Sequence, residues 1–128
     1  MAGGLTLDVV DVPLAISRLA AETPIPEWVW RAKHFLTISR TSQELSITCD
    51  ADVVPREVPS QRDYRAFRVR GTLGFGLVGL IASIVQPLAE AGISTLNIST
   101  HDTDFLLVKL EDAEHARSAL ERAGHHVV

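Results

Sequence analysis

The chain has very few residues of the types that mark several common protein classes. A single cysteine, Cys49, is present in 128 residues, which excludes a disulfide framework and a metal site built from several cysteines. No segment approaches the roughly 18 consecutive apolar residues of a membrane-spanning helix. The first residues lack the basic start and apolar stretch of a signal peptide. From these absences we expect a cytoplasmic protein without a membrane partner.

Aromatic and basic residues are also scarce. Aromatic residues make up only 5% of a chain that is 46% hydrophobic, so the core must be built mainly from aliphatic side chains and alanine. The chain has twelve Lys and Arg residues and sixteen Asp and Glu residues, which gives a formal net charge of −4. Because nonspecific nucleic-acid binding needs clustered positive charge, we expect no nucleic-acid partner.

Strand-like runs occupy most of the N-terminal half. Their apolar residues alternate with polar ones or form short runs of β-branched type. Strands are predicted at Leu5–Val10, at Leu14–Leu19 after Pro13, at Phe35–Arg40 and at Leu45–Cys49. The polar segment Thr41–Glu44 suits a hairpin loop between the last two strands. A short helix is predicted to begin with Pro26 as its first residue.

The sequence from Tyr64 onward predicts the order β-α-β-β-α-β. The preceding segment, Asp50–Asp63, is rich in charges and contains prolines, and is predicted to be a connecting loop. Pro87 lies in the first predicted helix, where it removes the hydrogen bond to Ser83 and is expected to kink or shorten the helix. That helix has an apolar stripe of Leu77, Leu80, Ile81, Ile84, Val85 and Leu88. The other elements are predicted at Tyr64–Leu73, Ile93–Ser99, Phe105–Leu110, Glu111–Ala123 and His125–Val128.

An internal similarity relates the two halves of the chain. The segments Ile38–Ile47 and Ile98–Leu107 share an Ile-Ser pair, an acidic residue after the loop, and apolar positions beyond it, at an offset of sixty residues. Both are predicted to be strand–loop–strand units, which favours a repeated unit of about sixty residues. We therefore predict one unit at residues 1–60 and a second at residues 61–128.

A glycine-rich string lies between a predicted strand and a predicted helix. The string Gly74–Gly79 has the spacing G-x-G-x-x-G of a dinucleotide-binding turn. Against a nucleotide site, the next strand does not end in an acidic residue but carries Asn97 and Ser99. The N–H groups at a helix start favour any anion, so a ligand carboxylate suits this turn as well as a phosphate does. A turn that needs glycine only for its shape also explains the string.

The loop Ser99–Asp104 groups hydroxyl, imidazole and carboxylate side chains. A solvated hairpin turn favours these residue types, but so does a recognition loop in which Asp102 or Asp104 holds an ammonium or guanidinium group. A metal site made from these two carboxylates and His101 lacks a convincing further ligand, and we expect no metal. Thr41 and Glu44 are the counterparts in the first half, where a polar hairpin turn is the alternative interpretation.

No group of residues in the sequence is arranged for catalysis. Cys49 closes an apolar strand and is expected to be a small buried residue, because nothing near it in sequence would depress its pKa. His125 and His126 are expected to be solvated, and Trp28 and Trp30 cannot both face inward. Since no Ser/His/Asp arrangement or close carboxylate pair is present, we expect no catalytic residues, no cofactor and no enzymatic activity.

Four segments resemble one known family. The string Ile-Ser-Thr-His-Asp-Thr-Asp-Phe at Ile98–Phe105 closely resembles the signature of a family of small bacterial ACT-domain proteins. The segments Ile38–Ile47, Gly71–Gly79 and Pro87–Ile93 resemble further parts of that family, in the same order along the chain. The family is related to the regulatory domains of aspartate kinases and to the cytosolic arginine sensors of animals.

The resemblance implies a fold and a ligand site. The fold would be α+β, with two tandem ferredoxin-like (βαββαβ) ACT units, the first degenerate, whose antiparallel sheets are packed by helices on one face. Amino acids bind at the interface between such units. The ligand's carboxylate would meet Gly74, Phe75, Gly76 and Leu77. The ligand's ammonium group or side chain would meet Ser99, Thr100, Asp102, Thr103 and Asp104, with Thr41 and Glu44 as their counterparts.

The function implied is that of a regulatory module. We expect a non-enzymatic, amino-acid-binding sensor of ACT type that forms a homodimer and acts on an effector protein. In this sequence His101 replaces the family's usual tyrosine, and Gly74 replaces an acidic or polar residue. These two departures leave an alternative function, a structural or protein-interaction domain of ACT type that binds no ligand.

Overall fold

The computed structural model describes residues 4–71 and 79–128. The chain divides into two compact units. One, here called the 12–64 unit, is Val12–Tyr64, and the other, here called the 65–128 unit, combines the residues up to Asp11 with Arg65–Val128. The residues Gly74, Phe75, Gly76 and Leu77, which were predicted to contact a ligand, lie outside the described residues.

The described elements follow the sequence prediction closely in type and order. The strands are β1 (Thr6–Leu19), β2 (Leu36–Arg40), β3 (Leu45–Asp50), β4 (Ser60–Val69), β5 (Thr95–Ser99), β6 (Asp104–Lys109) and β7 (His126–Val127). The helices are α1 (Leu80–Glu90) and α2 (Ala113–Arg122), with 3₁₀ turns at Glu27–Arg31, Ala51–Val53 and Leu110–Asp112. The predicted combination of helices with an antiparallel sheet is thereby confirmed.

Several predicted boundaries are wrong. The two strands predicted on either side of Pro13 form the single strand β1, because the fixed φ of proline is compatible with extended backbone. Strand β4 begins at Ser60, inside the predicted loop, and not at Tyr64. Pro26 is the extended residue that precedes the first 3₁₀ turn and not the first residue of a helix. Helix α1 continues past Pro87 to Glu90 and is not shortened there.

The core of the 65–128 unit is aliphatic except for Phe67, in line with the composition. Strands β1, β4, β6 and β5 are neighbours in this order, and β7 pairs in parallel with β1. Helices α1 and α2 each bury one stripe of apolar side chains, as their periodicity predicts. The buried residues are Leu7, Phe67, Val69, Ile84, Leu88, Ile93, Leu106, Val108, Ala116, Ala119, Leu120 and Val127.

Both helices end in the same hydrogen-bonded motif. After α1, Gly92 has φ +78°, and the N–H of Ile93 donates to the carbonyl of Leu88 at 2.9 Å. After α2, Gly124 has φ +99°, and the N–H of His125 donates to the carbonyl of Leu120 at 3.0 Å. This is the Schellman arrangement, which turns the residue after the glycine back onto the helix.

The motif that ends α2 buries His125, which was expected to be solvated. His125 is only 9% exposed. Its Nε2 lies 2.8 Å from the carbonyl of Ser83, and its Nδ1 lies 3.0 Å from the N–H of Leu5. A carbonyl only accepts and an amide N–H only donates, so Nδ1 accepts from Leu5 and Nε2 donates to Ser83.

Pro87 explains why the carbonyl of Ser83 is available to His125. In an uninterrupted helix this carbonyl would accept a hydrogen bond from the residue four positions later. That residue is Pro87, which has no N–H. The imidazole of His125 therefore replaces the missing helical donor and satisfies a partly buried carbonyl.

The 12–64 unit has a smaller core. Its strand β3 pairs antiparallel with the second part of β1 and with β2. None of its residues, all of which lie in the described range 4–71, forms an α-helix, and 3₁₀ turns cover the apolar face of its sheet instead. Trp28 packs against this core, whereas Trp30 is 63% exposed. The buried residues are Ala15, Val29, Leu45, Ile47, Cys49 and Val54.

Asp50, at the end of β3, is the main polar group inside the 12–64 unit. It is 4% exposed and accepts hydrogen bonds from the N–H groups of Phe35 at 2.9 Å, His34 at 3.1 Å and Lys33 at 3.2 Å. The ring Nδ1 of His34 lies 2.8 Å from Oδ2. Burial raises the pKa of Asp50, but these hydrogen bonds outweigh it and hold the pKa below its ordinary value.

We predict that Asp50→Asn destabilises the protein in a pH-dependent way. Asparagine places an NH₂ group among backbone donors, and the expected loss at neutral pH is about 1–3 kcal/mol. Because the pKa of Asp50 is lower in the folded state, its contribution is present above the unfolded pKa and is lost as pH falls through the folded pKa. Urea unfolding near pH 7 and below pH 4 measures both effects.

The control for Asp50 is Asp52→Asn, which removes an exposed carboxylate two positions away. It is expected to change the unfolding free energy by less than about 0.5 kcal/mol at either pH. Equal losses in the two variants at neutral pH would contradict the role assigned to Asp50.

We predict an energetic coupling between Pro87 and His125. His125→Ala leaves the carbonyl of Ser83 without a donor, at an expected cost of about 1–3 kcal/mol. In a Pro87→Ala background the new N–H of residue 87 satisfies that carbonyl, so the same histidine substitution is expected to cost about 1 kcal/mol less. A double-mutant cycle by urea unfolding tests this, and additive losses would rule the coupling out.

Candidate ligand-binding site

Most of the predicted recognition residues lie in the hairpin between β5 and β6. Ser99 stands directly opposite Asp104 in the strand register. The loop between them closes with a hydrogen bond of 2.8 Å from the N–H of Thr100 to the carbonyl of Thr103. The hydroxyl of Thr100 also donates to that carbonyl, at 3.1 Å. The hairpin therefore holds Ser99, Thr100, Asp102, Thr103 and Asp104 on a closed turn.

Thr103 ties this hairpin to the end of β4. Its side chain is buried, with 3% of the residue exposed, and its hydroxyl donates to the carbonyl of Val69 at 2.7 Å. Val69 is the last residue of β4, the strand from which the chain continues toward Gly74–Leu77. Thr103 is therefore a positioning residue, because its single hydroxyl proton is used by the backbone.

The two carboxylates of the hairpin differ in their surroundings. Asp104 is partly buried and accepts a hydrogen bond from the hydroxyl of Ser99. Asp102 has a side chain that is 61% exposed, and its Oδ1 lies 2.9 Å from Nδ1 of His101. A carboxylate has about four lone-pair sites, so Asp104 retains capacity for a cationic ligand while Ser99 fixes its orientation.

The hairpin between β2 and β3 repeats the same turn. The N–H of Thr41 donates to the carbonyl of Glu44 at 2.9 Å, and the hydroxyl of Thr41 accepts from the N–H of Glu44 at 3.2 Å. Arg40 stands opposite Leu45, as Ser99 stands opposite Asp104. Thr41 thus corresponds to Thr100, and Glu44 corresponds to Thr103.

The repeat therefore has an offset of fifty-nine residues at these hairpins, and the sixty-residue alignment is wrong by one position. The alignment paired Glu44 with Asp104 because both are acidic. Turn geometry sets the equivalence, and a slip of one residue moves a side chain to the opposite face of a strand. Glu44 is a loop residue, whereas Asp104 is the first residue of β6, so the two carboxylates do not have equivalent places.

The clefts formed by the described residues include one in each of the two units. One belongs to the 12–64 unit, has a volume of about 320 Å³, and is lined by Ile16, Ser17, Arg18, Glu44, Ser46, Pro59, Ser60 and Gln61. The other belongs to the 65–128 unit, has a volume of about 310 Å³, and is lined by Pro87, Glu90, Ala91, Ala119, Arg122 and Ala123. Of the predicted site residues, only Glu44 lines one of them. Sequence reasoning missed Arg18, Ser46 and Gln61, although their alternation along strands was a usable signal.

The basic stretch before the glycine-rich string is largely engaged within the protein. Arg70 donates from Nε to Asp8 at 3.1 Å, and Arg68 lies 4.0 Å from the same carboxylate. The hydrogen bond from Arg70, together with the charges of Arg70 and Arg68, holds the pKa of Asp8 below its ordinary value. Arg62 donates to the carbonyls of Ala51, Val54 and Pro55.

Cys49 is buried, as expected. Burial raises the pKa of its thiol to about 11, and the negative charges of Asp50 and Asp52 act in the same direction. The thiol is therefore protonated at neutral pH and is a poor nucleophile.

Among residues 4–71 and 79–128, no three or more His, Cys, Asp or Glu side chains are grouped as metal ligands would be. No described helix is long and apolar enough to cross a membrane.

Comparison with known proteins shows which family the chain belongs to. A family model described as an ACT domain matches residues 59–122, and a second model, described as an N-terminal domain, matches residues 13–57. A crystal structure of a protein from Agobacterium tumefaciens is 34% identical, with a TM-score of 0.92 over 99% of this chain and 94% of that one. The chain belongs to the ACT-domain family.

More distant structures share the ACT fold. The regulatory subunit of aspartate kinase from Thermus thermophilus, in a ligand-free form, is 14% identical, with a TM-score of 0.56 over 90% of this chain and 96% of that one. Aspartate kinase from Clostridium acetobutylicum is 10% identical, with a TM-score of 0.66 over 97% of this chain and 36% of that one. No curated protein matches the chain. The resemblance predicted from the four segments is confirmed, and the shared property is the fold.

We predict that the hydroxyl of Thr103 holds the ACT hairpin in place. Thr103→Val keeps the shape of the side chain but leaves the buried carbonyl of Val69 without its donor, at an expected cost of about 1–3 kcal/mol in unfolding free energy. The matched control is Thr100→Val, whose hydroxyl lies in an exposed turn where water replaces it, with an expected cost below about 1 kcal/mol. Urea unfolding measures both, and equal costs would contradict the role of Thr103.

Proposed function

We propose that this ACT-domain protein is a non-enzymatic regulatory module that binds an amino acid. The proposal includes two tandem ferredoxin-like ACT units, at residues 1–60 and 61–128, of which the first is degenerate. It is supported by membership of the family and by the fold shared with an aspartate kinase regulatory subunit. The observation that carries it is the bond from Thr103 to Val69, which ties the acidic hairpin to the strand that leads into Gly74–Leu77.

The chemistry of an amino acid suits these two segments. Its carboxylate would accept hydrogen bonds from the N–H groups of Gly74–Leu77, since backbone donors before a helix favour an anion. Its ammonium group would donate to Asp104, with Asp102 and Thr100 as further acceptors. A charge-assisted bond of this kind is about twice as strong as a neutral one.

Each remaining hairpin residue has a supporting role in this proposal. Ser99 orients the carboxylate of Asp104 through its hydroxyl. Thr103 fixes the hairpin against β4. Thr41 and Glu44 form the corresponding turn of the 12–64 unit. In the hairpin between β5 and β6, the ligand would thus meet groups that are already held in place, which lowers the entropic cost of binding.

Regulation follows from the ligand's preference for one state of the protein. We propose a homodimer in which the bound amino acid stabilises one arrangement of the two copies, and an effector protein that recognises that arrangement. A ligand shifts such an equilibrium only by its difference in affinity for the two states. Cytoplasmic location is part of the same proposal, because free amino acids are sensed where they are used.

The second candidate function is a structural or protein-interaction domain that has lost its ligand. It is favoured by Gly74 and His101, which differ from the family's usual residues at these positions and lie in the segments proposed to contact the ligand. A thermal-shift screen with the twenty amino acids separates the two functions. A ligand present at one hundred times its Kd adds about 2.7 kcal/mol of stability, whereas the alternative predicts no shift with any amino acid.

We predict that Asp104→Asn weakens binding of the amino acid found in that screen. Loss of a charged partner costs about 1.5–3 kcal/mol, which is about a tenfold to a hundredfold rise in Kd by calorimetry. Glu90→Gln, on the exposed side of α1, is the control and should leave Kd unchanged. Binding by Asp104→Asn as tight as that of the native chain would overturn the role of Asp104.

A further inference from the structure

The cleft of the 12–64 unit is lined in part by side chains on the face of its sheet opposite the core. In the pairing of β1 with β3, Ser17 stands opposite Ile47 and Leu19 opposite Leu45, on the core face. The alternate pair, Arg18 and Ser46, points the other way and lines the cleft. Because successive side chains of a strand alternate between faces, the cleft uses positions that the core leaves open.

Two serine residues that line this cleft tie β1 to the start of β4 through their hydroxyls. The hydroxyls of Ser17 and Ser60 are 2.8 Å apart, and Ser60 donates its single proton to the carbonyl of Val58 at 3.1 Å. Ser17, which is fully buried, must therefore donate to Ser60. The N–H of Arg18 donates to the carbonyl of Pro59 at 3.3 Å, which joins the start of β4 to β1 beneath the cleft.

Arg18 and Glu44 bring opposite charges to the cleft. The guanidinium of Arg18 donates to the carbonyl of Gln43 at 3.0 Å, which uses one of its five N–H groups. The backbone of Glu44 is fixed by two hydrogen bonds to Thr41: its N–H donates to the Thr41 hydroxyl, and its carbonyl accepts from the Thr41 N–H. No ion pair within 4.0 Å joins Arg18 to Glu44, and the ion pairs of the described residues involve other groups.

We infer that the cleft of the 12–64 unit is a binding site for a small zwitterion. Two opposite charges that line one cleft without pairing suit a ligand that carries a carboxylate for Arg18 and an ammonium group for Glu44. The hydroxyl of Ser46 and the amide of Gln61 supply uncharged polar contacts. Ile16 and Pro59 supply an apolar wall for a short aliphatic body, and the volume of about 320 Å³ lies at the lower end of the range for small-ligand sites.

The site consists entirely of residues of the 12–64 unit, so this inference goes beyond the proposed function and does not depend on it. Free α-amino acids and longer ω-amino acids share the required chemistry and differ in the separation of their charges. The probes are therefore the L-amino acids, 4-aminobutyrate and 6-aminohexanoate. Butyrate and butylamine, which carry one charge each, are the controls for the ligand.

The test is a two-dimensional amide NMR titration of the full chain. At least one zwitterionic probe is expected to shift the amide signals of Arg18, Ser46 and Gln61 saturably. Butyrate and butylamine are expected to bind at least tenfold more weakly, since each meets only one of the two charges. The inference is overturned if no zwitterion shifts these signals, or if a singly charged probe binds as tightly.

Substitutions test the two charges separately. Arg18→Gln and Glu44→Gln are each expected to raise Kd at least tenfold with the fold retained, because neither residue is buried. Arg56→Gln and Glu57→Gln remove the same charges from exposed residues of the unit that do not line the cleft, and should leave Kd unchanged. An unchanged Kd in both cleft variants would refute the site.

The same spectra distinguish this inference from the proposed function. Saturable shifts at Thr100 and Asp104 alone would support the proposed function and overturn the cleft site. Shifts at Ser46 and Gln61 alone would support the cleft site and count against the hairpin site. An absence of shifts in both places would overturn both.

Discussion

Asp50 is a carboxylate buried in a protein interior, and the arrangement of the 12–64 unit depends on satisfying it. A buried charge without partners costs far more than a small domain's whole stability. The chain meets this cost by directing three consecutive N–H groups, those of Lys33, His34 and Phe35, at one side chain. That convergence fixes how the segment after the first 3₁₀ turn enters β2, in a unit whose buried core is smaller than that of the 65–128 unit.

The need of buried polar groups for hydrogen-bond partners also shapes the 65–128 unit. Pro87 leaves the carbonyl of Ser83 without its helical donor, and His125 supplies one from the end of the chain. The carbonyl of Val69 receives its donor from Thr103. In both cases a side chain reaches a backbone carbonyl in a distant part of the sequence. The candidate hairpin is therefore held by satisfaction of buried polar groups in addition to apolar packing.

Periodicity predicted nearly every strand and helix, because each element buries one face and the repeat of apolar residues reports that face directly. The register of the repeat was missed by one residue, since Glu44 and Asp104 look alike in sequence but differ in their place on the turn. His125 was wrongly predicted to be solvated, although Gly124 carried a signal for its burial, because the residue after a Schellman glycine folds back onto its helix. The convergence on Asp50 had no local signal, as its donors precede it by many residues.

The surroundings of Cys49 have a practical consequence for spectroscopy. Its thiol is buried and stays protonated at neutral pH, so alkylating reagents, which need an accessible thiolate, react with it slowly. A cysteine introduced at an exposed position would therefore be modified selectively without replacing the native one. Fluorescent or spin labels can then be attached singly to an otherwise native chain.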